Sequence, residues 1–436
     1  MQHGGIVSTT LNTLCTMIGA GILSIPFAFA KCSVVVGCIV LPLSYFVSLA
    51  TVWIYTTCCE QNQVFSFRSL TVLAFPNFSA VKLAKLIESL IVITNCSALA
   101  VYTKVIADSG PPVMASVVGT PGWYSERYVW IFSTALVFSA LSIVKELHEI
   151  RLLSGLGFLC LLVVCVVIGV RYRSRDDSVD VSYLPDSAQH ALGVFPSFSI
   201  FCGAFLYHMN IPTLYFELRD RTPARMMLTA ALALSLALVL YVSVGLLGYL
   251  TFGTAEVLSG TAGGNILNCY DKTDSLINVS RALLVMHFVC AFPIYVVVAR
   301  RSLSIIITGS HEEVTVLPRA VRGVTVVALA MALALTVPSI GILTSYSSAL
   351  VASIVGITLP AVLGLHLLQR PPSSDAPPEA SPDGANPLLK STINAPKDIA
   401  SPSSSILFGR GLFWFLLVFG VLSSAVSVFV TTVDLL

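Results

Sequence analysis

Few residues inside the long apolar blocks of this sequence can do chemistry. Glu88, His208 and His287 are the candidate proton carriers among them. If the blocks cross a membrane, an ionisable residue there is a functional candidate, and a histidine near neutrality suits proton exchange. Each has a plainer reading. Glu88 lies within helical reach of Lys82 and Lys85 and could form an interfacial ion pair; the two histidines could be packed and hydrogen-bonded. Lys104 and Asp108, one turn apart, read as a surface pair. Glu217 and Arg219-Asp220-Arg221 could form an inner gate with Arg300 or Arg301, or could serve only as helix-end capping and charge bias.

The second kind of chemistry belongs to the backbone. The stretch TMIGAGILSIPFAFAK, residues 16–31, is apolar enough to be a membrane helix, yet carries Gly19, Gly21 and Pro26. FPSFSIFCGAFLYHMNIPTLYFEL, residues 195–218, is interrupted by Gly203 and Pro212. Unwinding a helix in lipid exposes N–H and C=O groups at several kcal/mol each unless something uses them. The N-terminus of a half-helix favours a carboxylate, and freed carbonyls accept from an ammonium group. Glycine and proline in one membrane helix would mean only a kink or close packing; two interrupted helices at matching places point to an inverted-repeat transporter.

The elements that must position these groups follow from composition. Of 436 residues, 56% are hydrophobic and 11% charged, against about 25% charged in soluble domains. Eleven blocks of helical crossing length occur, at about 5–30, 33–57, 84–108, 128–147, 151–171, 193–217, 227–252, 278–304, 322–343, 345–368 and 411–433. A polytopic all-α membrane protein is therefore expected. With the N-terminus inside, 16 of the 24 Lys and Arg residues fall in the inner loops. That bias places the C-terminus outside.

The expected organisation is a ten-helix core over 1–368, a Pro/Ser-rich disordered cytoplasmic linker over 369–410, and a last helix with an external tail over 411–436. The linker holds eight prolines and too little apolar surface to fold. The eleven cysteines show no metal-ligand spacing. Cys32 and Cys269 both fall outside and could pair. Asn278-Val279-Ser280 is an external glycosylation sequon close to the bilayer.

Several motifs resemble the amino acid/auxin permease family, in particular its sodium-coupled neutral amino acid transporter branch. NTLCTMIGAGILSIPFAFA is similar to that family's first helix. YHMNIPTLYFELRDRTPARMM is similar to the exit of its sixth, with His208, Asn210, Tyr215, Glu217 and Leu218 at the family spacing and Pro212 one place early. GYLTFG (248–253), the Arg281, Pro293 and Arg300 series, and Asn95 with Tyr102 also agree. The match runs over the first eight helices.

The resemblance implies a LeuT-like core of five plus five inverted helices with one extra helix, working by alternating access. Backbone N–H groups of Gly19, Ala20 and Gly21 would take an amino acid's carboxylate. Backbone carbonyls along Phe201, Cys202, Gly203 and Phe205 would take its ammonium, with Asn95 lining the site. Glu88, His208, Asn210, Glu217 and Arg300 remain coupling or gating candidates. Where the sodium-coupled branch has an Asn and a hydroxyl residue, this chain has Cys15 and Val289-Cys290-Ala291. Sodium prefers hard oxygen ligands, so no metal is expected, and a proton is the expected coupling ion, or none.

The partners expected are a neutral amino acid and the lipid bilayer, with no nucleic acid and no cofactor. The membrane could be the plasma membrane or a lysosome- or vacuole-like one. The alternative is an amino acid sensor with little flux, signalling through the linker. An enzyme is not expected: no His-x4-Asp pair or membrane aspartate dyad is present.

Overall fold

A computed structural model describes residues 4–75, 79–119, 122–143, 151–174, 179–186, 188–309, 316–368 and 405–434. Among these, eight helices are long and apolar enough to cross a membrane, or nine when one bent pair is counted as a span. The chain is an integral multi-pass membrane protein, all-α in architecture. The segment read as a linker, 369–410, lies almost wholly outside the described residues.

The bent pair is the first block. Helix α1 (Ile6–Met17) ends, the chain passes through extended Ile18 and Gly19, and a 3₁₀ turn (Ala20–Ser24) leads into α2 (Ile25–Cys32). The two halves meet at 57°. Pro26 sits in the first turn of α2, where its missing N–H costs nothing. After α3 (Val34–Asn62) and the short α4 (Phe67–Ala74) come α5 (Ala80–Val118), α6 (Arg127–Leu141) and α7 (Arg151–Tyr172). The blocks expected at 128–147 and 151–171 thus form shorter apolar helices, below the length threshold for a span over their described residues.

The sixth block also breaks. Helix α8 (Ala188–Ala204) stops, a 3₁₀ turn covers His208–Asn210, and α9 (Ile211–Glu217) completes the crossing, with Pro212 in its first turn. Four elements follow: α10 (Pro223–Val257), α11 (Ser275–Thr308), α12 (Val316–Thr336) and α13 (Ile340–Ser347). The boundary between the last two falls at 337–339, at the Pro338-Ser339-Ile340-Gly341 link by which the sequence joins these two blocks, because Pro338 cannot continue a helix and Ser339 caps the next one. After α13 the backbone widens into π-helical turns, Ser348–Ala352 and Ile354–Thr358, before α14 (Leu359–Leu367). Helix α15 (Ser405–Val433) starts inside the stretch expected to be linker.

Contacts sort the helix ends into two groups. Lys31 at the end of α2 pairs with Asp434 after α15. Asp108 of α5 pairs with Arg127 of α6 at 3.0 Å, and Arg171 of α7 with Asp274 before α11 at 2.5 Å. These ends share one side, called outer here after the Lys/Arg bias. On the inner side Gly4 and Leu218 form a parallel bridge, with Gly4 N–H donating to Glu217 O (3.0 Å) and Arg219 N–H to Gly4 O (2.9 Å). The free ends of both broken helices are thereby joined.

Three sequence expectations change here. Lys104 and Asp108 are not a surface pair: Lys104 is buried and donates to the Pro338 carbonyl at 3.3 Å, while Asp108 is held by Arg127 and accepts from Asn268. Cys32 and Cys269 are both unbridged thiols. Asn278 is buried, donating to Lys272 O and accepting from Arg281 Nη1 at 2.7 Å, so its amide is committed to holding a loop.

Candidate functional site

The site grows out of the α1–α2 break. Gly19 is extended (φ −130°, ψ −155°), so the first N–H groups of the following 3₁₀ turn have no preceding turn to accept them. Gly19 is close-packed: a Cβ there would come 3.0 Å from Tyr102 Oη and 3.3 Å from Tyr295 Oη. Gly21 is open, with nothing within 4 Å of a Cβ built on it. Both glycines border a cavity of about 150 Å³ that runs to the other break, at Gly203 and Ala204. That volume is below the roughly 300–1,000 Å³ of pockets for drug-sized ligands, and suits a smaller solute.

The cavity wall is rich in hydroxyls. Thr16, Thr94, Ser97, Tyr102, Tyr241, Tyr295, Thr344, Ser347 and Ser348 line it beside Met17, Val101, Ile200 and Leu343. No charged side chain is among them. Gly203 is required by the π-helical turn opposite: a Cβ there would lie 2.1 Å from Ser348 Oγ. Such turns recur at functional sites, and this one brings Ser348 against the second break.

The sequence candidates separate on this frame. Gly19, Gly21 and Gly203 border the cavity; Ala20 lies in the same 3₁₀ turn between the two first glycines. Phe201, Cys202 and Phe205 do not line it. Phe201 packs on Phe29 (5.6 Å between centroids) and Phe205 on Tyr241 (5.2 Å), because α8 is helical to Ala204 and puts Ile200, Gly203 and Ala204 on its cavity face. The carbonyls there are partly used: Phe201 O accepts from Phe205 N–H, Gly203 O from Leu206 N–H, and Ala204 O from the Tyr241 hydroxyl at 2.7 Å. A carbonyl has two lone pairs, so each retains one.

Asn95, His208 and Asn210 line a second cavity, of about 80 Å³, which shares Thr16, Thr94, Leu206 and Tyr295 with the first and extends inward from it. Asn95 donates to Ile91 O of its own helix at 2.7 Å. His208 Nε2 lies 2.7 Å from Thr51 Oγ1. The Thr51 hydroxyl also donates to Ser48 O, which makes Nε2 the donor in that contact. Its Nδ1 is buried without a partner.

Glu88 is buried, turned toward Ser302 of α11 and Arg68, while Lys82 and Lys85 are exposed and no ion pair joins either to it among the described residues. The interfacial pair with those lysines is therefore not what the helix builds. Glu217 and Arg300 are not brought together: Glu217 is exposed, and Arg300 is buried with Nη1 donating to Ser142 O at the end of α6. Tyr215 instead ties the inner side, donating to Glu60 Oε2 at 2.6 Å. Cys15 and Ala291 do meet, in a small cavity completed by Ile18, Gly157, Phe158, His287 and Ile294. No metal-binding cluster of His, Cys, Asp or Glu occurs among the described residues.

Sequence reasoning missed Tyr241, Tyr295 and the Thr344–Ser348 wall. The signal was present as tyrosines in the middle of apolar blocks, where a buried hydroxyl needs a purpose, but sequence alone did not show which helices face each other.

Comparison with known proteins bears on the cargo. The family model described as "Transmembrane amino acid transporter protein" matches residues 2–375. Vacuolar amino acid transporter 6 of Saccharomyces cerevisiae is 30% identical over 317 residues, covering 70% of this chain and 67% of that one. Solute carrier family 38 member 8 of Homo sapiens is 26% identical (68% and 70% covered), and sodium-coupled neutral amino acid transporter 7 of Bos taurus 23% (67% and 63%). The similarity spans vacuolar and sodium-coupled relatives without favouring the branch the motifs suggested. With cavity, broken helices and matched length agreeing, the chain belongs to the transmembrane amino acid transporter family.

Proposed function

We propose that this protein is a secondary transporter of neutral amino acids, coupled to protons or facilitative rather than coupled to sodium. The observation that carries the reading is the hydroxyl-lined cavity joining the two helix breaks, with no charged side chain among the described residues of its wall. N–H groups at Gly19–Gly21 take the α-carboxylate, aided by the Tyr102 and Tyr295 hydroxyls beside Gly19. The remaining lone pairs at Phe201–Ala204 and the Ser348 hydroxyl take the ammonium. An apolar or hydroxyl side chain is what the rest of the wall accepts.

The relatives' names support amino acids as cargo, and vacuolar ones among them support a vacuole- or lysosome-like membrane as readily as the plasma membrane. Eleven crossings with a five-plus-five core and alternating access are part of the proposal; the paired breaks in α1–α2 and α8–α9 favour it. Against sodium, the cavity joining Cys15 and Ala291 offers no side-chain oxygen among the described residues that line it.

Purified protein in liposomes, offered a labelled neutral amino acid mixture under separate sodium and proton gradients, tests the reading. Uptake that follows the proton gradient, or equilibrates under either, is expected. A strict sodium requirement overturns the coupling assignment. Binding without flux under any gradient overturns transport and leaves an amino acid sensor.

A further inference from the structure

The small cavity at the end of α1 holds a polar group with nothing to bind. His287, in the middle of α11, is 4% exposed, and neither ring nitrogen has a hydrogen-bond partner among the described residues. The Gly157 backbone of α7 faces the ring close to hydrogen-bonding range, although neither ring nitrogen meets full hydrogen-bond geometry with it. A Cβ on Gly157 would lie 3.1 Å from Nδ1, so the glycine is what lets the imidazole approach α7. The other walls are Cys15 and Ile18 of α1, Phe158, Ala291 and Ile294.

An imidazole buried with two orphan nitrogens forfeits hydrogen bonds it would keep in water, at about 1–3 kcal/mol. Proteins retain such groups where another state uses them. The cavity also lies at the C-terminal end of α1, whose last carbonyls are released by the break at Ile18 and whose last turn has no basic residue. A helix C-terminus carries partial negative charge that favours a cation. The titratable groups around the ring are thiols and a phenol: Cys15 on α1, Cys160 on α7 beside Cys290 on α11, and Tyr102 of α5 behind the Phe288 ring. No carboxylate or second base faces it among the described side chains.

We propose that His287 is a proton-binding site that clamps α1 to α7 and α11. It rests on the transport reading and deepens it by naming where the coupling ion binds. A proton from bulk solvent adds to the imidazole. The imidazolium then donates toward the Gly157 backbone from one nitrogen and toward the open end of α1 from the other. Its charge is stabilised only while α1 packs there, since the remaining walls are apolar. Ile18 lines this cavity and is also the first residue of the break that leads to Gly19. Release of the proton therefore frees the half-helix that carries the substrate site.

Two measurements decide it. Full-length protein labelled with ¹⁵N-histidine, in nanodiscs, is titrated from pH 8 to 4.5, with the His287 signal assigned by its loss in His287→Gln. A neutral-to-imidazolium transition whose midpoint moves on adding a neutral amino acid mixture is expected; a ring that stays neutral, or a midpoint indifferent to that mixture, overturns the proposal. In liposomes under a one-unit pH gradient, wild type should accumulate substrate up to about tenfold, the limit for one proton per substrate. His287→Gln and His287→Lys should accumulate none above equilibrium. Variants that concentrate substrate as wild type does overturn the proton site and leave transport standing. Wild type that moves no amino acid overturns the transport reading, and the titration still decides the proton site.

Discussion

At the residue scale, two glycines that look alike in the sequence do different work. Gly203 is packed against Ser348 and Gly21 faces open space. Gly203→Ala should destabilise the protein by about 1–3 kcal/mol, as overpacking does, read as a lowered thermal midpoint in detergent; Ser348→Gly should restore it. Gly21→Ala should leave the midpoint near wild type and instead narrow the cavity. Uptake of large neutral amino acids should fall roughly tenfold relative to alanine, the scale on which one methylene discriminates. Equal loss for all sizes would mean that Gly21 does not border the substrate. Both glycines were legible as helix breakers; their difference was not, because it depends on what α13 and its π turns bring opposite. Glu88 shows the same limit, since its sequence neighbours Lys82 and Lys85 stay exposed and the partners that matter come from α11 and Arg68.

At the element scale, helix ends outside the apolar blocks hold the scaffold. Asp274 caps α11 by accepting from Leu276 and Ile277 N–H groups (3.0 and 3.2 Å) and pairs with Arg171 of α7. Burial works to raise its carboxyl, but Arg171 and the two N–H groups outweigh this and hold it below the usual carboxylate range. Its contribution is therefore complete above the unfolded value of about 3.9 and is lost as pH falls through the lower folded value. Asp274→Ala should cost about 1 kcal/mol at pH 7. The gap in thermal midpoint between variant and wild type should close as pH drops below about 4. A gap that persists at low pH would show that the cap acts without its charge. Nearly all the helices were legible as apolar blocks of the right length, and the break in the first from its glycines. The joint between α12 and α13 was legible from Pro338 and Ser339, while its exact residue was not, because the hydrophobic run continues on both sides of the link.

At the scale of the whole molecule, the two sides are closed by different devices. On the inner side the free ends of α1 and α9 are joined by the Gly4–Leu218 bridge, so two backbone hydrogen bonds tie the inner halves of the two broken helices. On the outer side Lys104 holds the Pro338 carbonyl, and Gly263 O accepts from the N–H groups of Ile340 and Gly341. The Ser24 hydroxyl reaches Gly264 O, and Asn268 reaches Asp108. The loop before α11 thus lies across α2, α5 and α13 above the cavity, while the second cavity continues inward past His208. The loop covers the cavity on this side, and two buried cations hold the cover: Arg281, which donates to Leu267 O and Tyr270 O, and Lys104. Lys104→Met keeps the stem and removes the bond to Pro338, freeing the junction where α12 turns into α13. A cysteine placed at Ser347, in the cavity wall, should then react severalfold faster with an impermeant thiol reagent from the outer side than in the Lys104 background. The protein without Ser347→Cys supplies the reading for its own eleven thiols. An unchanged rate would mean that the loop docked at Gly263 and Gly264 closes the outer side by itself, and that Lys104 only caps a helix boundary.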